Sequence, residues 1–470
     1  HDEIIKMGAM QDKGVAVRQK DVRLQIAKTH EKRGELDAAI EEYKLLLFQD
    51  QMNPFAHWEL ANIYQKKNKV NEAAKSLINY YDLIFPESFE GTRTIQKLKD
   101  LNILKWNKNI SRNKSDAANM DVDREKIFLF INNNIESHSI HSSSLIWENS
   151  FGDKNTSVVS TDVKNEKYIF FIKKDVPDAK MFYFQEMLTN KRLDFEAYDK
   201  ASKYSIAAVD KRDGKISWDL PLEIPGESNI TWMGVKSNKI FIQSIASNKM
   251  SVSAHDVKSG TLIWKISRDI SSFYKSYYLT PAFYKDFLLL PLATSIEYIN
   301  AENGNAEGKY FDNDIDHIFS FNENSIQNNT MKFFIVEFEN EYVEVDLEKN
   351  VKISGGVLDS DHPERGMWIN NMFVDVSSSG SVAAYKLSTD TGGEALELWK
   401  YNYNSTLRLV GFDEQNISIL DLDSERIIVV DAQSGTNLQS KPLLWPGEIV
   451  KMTGNYYIVQ SENKLFVVPM

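Results

Sequence analysis

The 470-residue chain contains no cysteine. That excludes disulfides, thiolate metal sites and cysteine nucleophiles, and it suits a bacterial envelope as well as a cytosol. It also has no run approaching the about 18 apolar residues that a membrane-crossing helix requires. Basic residues are not in excess: 55 Lys and Arg face 67 Asp and Glu, for a net charge of −12. A general nucleic-acid binder needs clustered cations on its surface, so nucleic acid is not an expected partner. The eight histidines include no HExxH pair, and no G-x-S-x-G, P-loop or dinucleotide fingerprint occurs. His138 and His141 are the closest His pair and read as residues on a hairpin surface rather than zinc ligands. Asp312, Asp314 and Asp316 alternate like the start of a calcium loop, without its Gly at position six or Glu at twelve. We therefore expect no cofactor, no metal and no catalytic residues.

What the chain does have is repetition. Ala-Ala-Val-Asp210-Lys-Arg-Asp-Gly214-Lys-Ile-Ser-Trp218 returns as Ser-Ala-His-Asp256-Val-Lys-Ser-Gly260-Thr-Leu-Ile-Trp264. Fainter copies run from Asn300 to Gly304 and from Asp431 to Gly435, and Trp399 closes another. Gly214, Gly260 and Gly304 are 46 and 44 residues apart, a period that fits four short strands per unit of a β-propeller. The chemistry is local. Gly supplies the positive φ of a hairpin turn, the preceding Asp accepts from the turn's N–H groups, and the Trp packs between neighbouring sheets.

Residues 20–101 carry a second, helical repeat. Leu24-Gln-Ile-Ala27-Lys-Thr-His30 aligns with Trp58-Glu-Leu-Ala61-Asn-Ile-Tyr64 at an offset of 34, which also pairs Gly34 with Asn68 and Ala39 with Ala73. Small residues stand where two helices approach, and apolar stripes fill the spaces between them. Pro54 falls at a helix start, and a last helix from about Ser88 to Leu101 reads as a cap. Residues 1–19 read as an N-terminal helical extension. The chain begins at His1, so we expect that a leader or lipid-bearing segment preceded it, giving peripheral membrane association without a transmembrane span.

From residue 102 to 470 the pattern is β. Closing strands near 106, 147, 218, 264, 310, 353, 399 and 439 predict eight blades, with seven as the alternative because the units near 310, 353 and 439 lack the Trp. Glu448 to Met470 supplies three strands, and the fourth is expected at 103–110, closing the ring from both chain ends. Trp147 and Trp218 are 71 residues apart, and the surplus at 175–204 reads as an insertion. Met181, Phe184 and Leu188 would share one face of a helix there, as a fold-back element or a partner-docking one.

The helical unit resembles the tetratricopeptide (TPR) repeat family over about residues 20–86. The Asp-turn-Gly-Trp units resemble the quinoprotein (PQQ-like) β-propellers over about 102–470, and among them the non-enzymatic BamB-like members. The resemblance implies an α plus all-β multidomain protein: an N-terminal TPR α-solenoid before a β-propeller. It implies a non-catalytic, periplasmic scaffold, anchored at the outer membrane, whose partners are protein subunits of an envelope complex for outer-membrane protein assembly or secretion. The enzymatic alternative is a quinoprotein dehydrogenase with pyrroloquinoline quinone and calcium. Its adjacent cysteines are absent, and we find no compact cationic and carboxylate cluster for the quinone. A cytosolic WD40-like scaffold is a further alternative, resting on the lone Trp218-Asp219. In the tetratricopeptide pattern the groove is lined from the first helix of each repeat. That marks Leu24, Lys28, Glu31 and Lys32, then Phe55, Trp58, Asn62, Gln65 and Lys66, with Phe55 and Trp58 as anchors or, for Trp58, a packing residue.

Overall fold

A computed structural model describes residues 22–469 apart from 110–118, 124, 132, 153–155, 163–164, 179–182, 187–189, 194, 247, 271–279, 293–294, 312–317, 321–325, 328–329, 336–340, 350, 358–366, 370–371, 378–379, 387–394, 413–414, 446–447, 454–455 and 462–463. The expected helical extension at 1–19 and the acidic loop Asp312, Asp314 and Asp316 lie outside the described residues. The chain divides into two compact units, one comprising 1–109 with 441–470 and the other 110–440.

The larger unit is a seven-bladed β-propeller arrangement of antiparallel four-stranded meanders, with one further short strand, Ile326–Gln327, paired in blade 5. Blade 1 holds Asn119–Asp123, Lys126–Ile131, Asn134–Ser139 and Leu145–Ser150; blade 2 holds Thr156–Asp162, Tyr168–Asp175, Lys203–Asp210 and Ile216–Leu222. Blade 3 runs from Asn229 to Asp269, blade 4 from Ala282 to Phe311 and blade 5 from Ile318 to Val357. Blade 6 runs from Met367 to Asn402 and blade 7 from Leu407 to Pro442. First strands approach one another across blades: Asn119–Asp123 lies beside Thr156–Asp162, which lies beside Asn229–Lys236.

The repeated motif builds each joint. In blades 1 to 6 the register between third and fourth strands shifts at an equivalent point, as between Ala208 and Val209 or Ala254 and His255. This bulge sets the residue paired just before it, Trp147, Trp218, Trp264 or Trp399, onto the face toward the next blade. The indole N–H of Trp147 donates to the Lys211 carbonyl at 2.9 Å, that of Trp218 to Val257 at 3.1 Å and that of Trp264 to Ala301 at 3.1 Å. Gly308 and Ser354 hold the equivalent register positions in blades 4 and 5, and the Tyr298 ring covers the space that a side chain on Gly308 would take.

The turns behave alike. Asp256 Oδ1 accepts from the N–H groups of Lys258 and Ser259 at 2.9 and 2.8 Å, and Asp431 Oδ1 from Ser434 at 2.7 Å. Asp210 Oδ1 accepts from Arg212 N–H at 2.9 Å. The core lies between blades. Phe128, Phe130 and Trp147 of blade 1 meet Phe171, Ala207 and Val209 of blade 2, all nearly or fully buried.

In the smaller unit, residues 22–32 are helical and form α1; α2 is Leu36–Gln49, α3 Pro54–Lys66, α4 Val70–Leu83 and α5 Phe89–Asp100. Ala39, Ile40, Tyr43 and Leu46 bury one stripe of α2, and Ala73, Leu77 and Tyr81 one of α4. Asn53 caps α3 by accepting from Ala56 N–H at 3.1 Å, with Pro54 in the first turn; Ser88 caps α5 through Gly91 N–H at 3.0 Å. α1, α3 and α5 end alike at steps of 34 residues. Gly34, Asn68 and Asn102 take φ of +78°, +56° and +55°, and the N–H groups of Glu35, Lys69 and Ile103 reach back to the carbonyls of His30, Tyr64 and Leu98.

The same unit contains a four-stranded sheet. Trp106–Asn109 pairs antiparallel with Lys464–Pro469, followed by Tyr456–Ser461 and Glu448–Thr453. Tyr81 of α4 meets this segment: the Lys464 ammonium donates to its hydroxyl at 3.0 Å, and its ring stands edge-on to Trp445 at 6.4 Å. Trp445 in turn stacks on Phe466 at 4.0 Å.

Two local expectations are corrected. In the 175–204 insertion Tyr183–Glu186 is a strand paired with Asn190–Leu193, followed by the short helix α6, Phe195–Lys200. The three-residue spacing of Met181 and Phe184 suggested a helix. The Tyr-Phe pair instead enters a hairpin, where aromatic residues are favoured and each strand satisfies the other's backbone. Phe184 stands opposite Arg192 in that register, and Met181 and Leu188 lie outside the described residues. His138 is buried rather than on a hairpin surface. Its ring lies 3.2 Å from the Ser143 carbonyl and 2.7 Å from Glu136 Oε2, so the bulge turns it inward.

Candidate partner-binding face

The groove residues marked on α1 and α3 meet side chains of α5 on one side of the helical unit, whereas Phe184 lies in the insertion hairpin. Trp58, half-buried on α3, is the centre. Its ring contacts Tyr80 at 5.0 Å between centroids. The Arg93 guanidinium lies 4.8 Å and the Lys97 ammonium 4.5 Å from the ring centroid, both from α5. Lys97 donates to Asn62 Oδ1 at 2.6 Å and to Gln65 Oε1 at 3.3 Å, so its hydrogen-bond partners are two amide oxygens. Burial first, and Arg93 second, hold its pKa below the ordinary lysine value. One turn toward the α3 N-terminus, Lys28 of α1 lies 4.4 Å over the Phe55 ring. Lys66 pairs with Glu31 at 2.8 Å, and Arg23 with Glu42 at 3.0 Å.

Lys28, Phe55, Trp58, Asn62, Gln65 and Lys66 thus form one continuous surface in which cations cover aromatic faces. Leu24 and Phe55 also pack against the helical core, so their side chains contribute to the fold as well as to the surface. Lys32 is exposed, with no role among these contacts. Sequence reasoning passed over Arg93, Lys97 and Tyr80. Arg93 and Lys97 lie one step of 34 from Glu59 and Ile63, which are not groove positions, so the repeat period did not point to them. Under the face, the Tyr43 hydroxyl is buried without a hydrogen-bond partner among the described residues, and burial together with Glu59 and Glu31 raises its pKa.

The motif residues Asp210, Gly214, Trp218, Asp256, Gly260, Trp264, Asp431 and Gly435 all stand in the propeller joints. Gly435 faces Trp399 as Gly260 faces Trp218. Among the described residues no group of three or more His, Asp or Glu is placed to hold a metal ion, and no helix is long and apolar enough to cross a membrane.

No family model matches the chain, and no curated protein does. Solved structures similar to it include a computationally designed protein, Ika8, at 12% identity and a TM-score of 0.48, covering 77% of this chain and 98% of that one. Another is a chain of the mitotic checkpoint complex, at 9% identity and a TM-score of 0.39, covering 57% of this chain and 86% of that one.

Proposed function

We propose that this protein is a non-catalytic scaffold of a bacterial envelope complex, BamB-like in role, which holds a partner's peptide segment on the α1–α3–α5 face. A β-propeller fold is compatible with protein interaction. The observation that carries the reading is the Trp58 cluster: a half-buried indole under Arg93 and Lys97, beside Lys28 on Phe55. Arg, Trp and Tyr in partly desolvated clusters supply most of the energy at protein interfaces. Two cations over one ring, in a chain of net charge −12, favour a segment bearing Asp or Glu.

The finer architecture belongs to the same proposal. The helical unit acts as a tetratricopeptide-like solenoid. The sheet of Trp106–Asn109 with the three C-terminal strands serves as an eighth blade closing the ring, and the protein works in the periplasm at the outer membrane. Electron-microscopic averages viewed down the propeller axis decide between eight blades and seven.

The test is affinity purification of the native full-length protein in mild detergent with mass spectrometry, in parallel with Trp58→Ala and Arg93→Gln/Lys97→Gln variants. Outer-membrane or secretion-machinery subunits should accompany the wild type and be lost from the variants. Retention by variants that fold normally moves the binding surface elsewhere. A protein that emerges alone with a quinone absorption band overturns the scaffold reading.

A further inference from the structure

A second site lies in the propeller unit, in the cleft between the outer parts of blades 2 and 3. Its origin is a patch of small side chains. Across blade 3, Ser244 pairs in register with Ser251, and Ser251 with Ser267; Ser253, beside them, stands opposite Ile242 and Lys265. The preceding cleft is filled instead: Phe171, equivalent in register to Ile242, packs there with Phe130 and Phe151. With Ile242 in place of that phenylalanine and the serines beside it, blade 3 leaves a cavity of about 230 Å³. Leu220, Leu222 and Ile224 of blade 2 form its apolar wall.

The floor has defined polarity. Ser244, Ser253 and His255 are 5%, 7% and 5% exposed. His255 Nδ1 lies 3.1 Å from the Gly260 carbonyl oxygen, which only accepts, so Nδ1 carries the proton. Nε2, 3.0 Å from Ser253 Oγ, is then an acceptor, and the Ser253 hydroxyl donates to it. Burial, with Lys265 nearby, keeps the imidazole neutral. Ser253 Oγ therefore presents lone pairs to the cavity and seeks a donor. At the mouth, the exposed Lys265 ammonium donates to the Glu223 carbonyl, a neutral partner that leaves its charge available to an anion.

We propose that this cleft binds a small aromatic monocarboxylate whose ring carries a donor, a phenol or an indole: the ring against the leucine wall, the donor on Ser253 Oγ and the carboxylate at Lys265. An engineered cavity of about 150 Å³ takes up benzene, so this volume admits a ring with a short tail. The site is separate from the Trp58 face, and its test is independent of the scaffold reading.

The probe is 3-(4-hydroxyphenyl)propionate, titrated into the full-length protein by saturation-transfer NMR and calorimetry. A ligand of this size binds with a Kd on the order of 1 mM. Removing the phenol oxygen, as in 3-phenylpropionate, should weaken binding roughly tenfold by leaving the buried acceptor unpaired. Lys265→Gln, at an exposed position, should weaken it about fivefold while leaving neutral 4-ethylphenol unaffected. Ser253→Leu fills the cavity and should abolish binding of all three. If that variant unfolds, the ligand series and Lys265→Gln decide. Absence of binding at roughly ten times the expected Kd, equal binding of both acids, or binding unchanged in a folded Ser253→Leu protein overturns the proposal. So does binding of a peptide ending in Tyr where the free acid fails.

Discussion

Trp218 lies flat against Gly260. A Cβ built on Gly260 would stand 2.6 Å from Cε3 of the indole, and the glycine's φ is +73°. Two requirements coincide at this one residue: a left-handed backbone for the blade 3 turn and a bare surface for the blade 2 tryptophan. They can be separated by experiment. Gly34 has φ +78° but nothing within 4 Å of a built Cβ. Gly34→Ala should therefore cost only the conformational penalty, about 1 kcal/mol. Gly260→Ala adds overpacking of about 1–3 kcal/mol to that. Urea unfolding followed through tryptophan fluorescence for the propeller and helical circular dichroism for α1–α5 checks both. Equal losses would mean that the indole moves aside at no cost.

The turn aspartates make stability depend on acid. The Ser259 N–H and hydroxyl, with the Lys258 N–H, hold the Asp256 carboxyl below its ordinary value; the Ser434 hydroxyl and N–H do so for Asp431. The Arg212 side chain and N–H lower Asp210 to about 2. A carboxyl depressed in the folded state contributes stability that is fully present well above its unfolded pKa of 3.8. That contribution fades as pH falls through the folded value. The propeller should lose stability progressively from about pH 5 down to pH 2. Asp256→Asn should flatten this slope yet cost little at pH 7. Asn300 shows why: its amide oxygen accepts from the N–H groups of Glu302 and Asn303 at 2.9 and 3.3 Å in the equivalent blade 4 turn. Unfolding midpoints of both proteins across that pH range test it, and an unchanged slope would remove Asp256 from the account.

How far this was legible differs by element. The Asp–Gly–Trp joints could be read because turn, bulge and indole are all specified within nine residues of each other, as from Asp256 to Trp264. The helical repeat was legible for the same reason, through local spacings such as Gly34 and Asn68. Non-local placements were not. Phe184 had a helical spacing but found a strand partner around Arg192, and His138 was turned inward by a bulge that its own neighbours do not announce. The face around Trp58 was half legible: α3 supplies the ring and amides and α1 the Lys28 cation over Phe55, while the cations over Trp58 come from α5, whose sequence reads only as a cap. The serine-lined cleft was invisible, because a cavity follows from what Phe171 fills in one joint and Ile242 leaves open in the next.

Lys97 separates binding from stability. Burial and Arg93 work against its charge, so the fold gains little from the ammonium itself. Lys97→Met keeps the aliphatic stem against Trp58 while removing the charge and its bonds to Asn62 and Gln65. The urea midpoint of the helical unit should stay level or rise, and capture of an acidic peptide should fall about fivefold at low salt. The difference should shrink as ionic strength increases, because an exposed ionic contact is screened. Loss of stability with unchanged peptide affinity would make Lys97 a structural residue only.

The C-terminal strands should stabilise the N-terminal helices. The Lys105 N–H donates to the Val467 carbonyl at 2.7 Å, Trp106–Asn109 pairs with Lys464–Pro469, and Tyr81 of α4 is 3% exposed. Lys464 covers the Tyr81 ring at 4.4 Å, and burial raises its hydroxyl to about 12. Deleting 441–470 would uncover that ring and leave Trp106–Asn109 without its ladder. A short helical array has little core of its own to offset this loss. Helical circular dichroism of the truncated chain should therefore melt at a lower temperature than in the intact protein. Tyr81→Ala in the full chain should reproduce much of the effect, at about 3–5 kcal/mol. Should α1–α5 melt identically with and without 441–470, the helices would be an autonomous domain and the contacts of Tyr81 with Lys464 and Trp445 incidental to it.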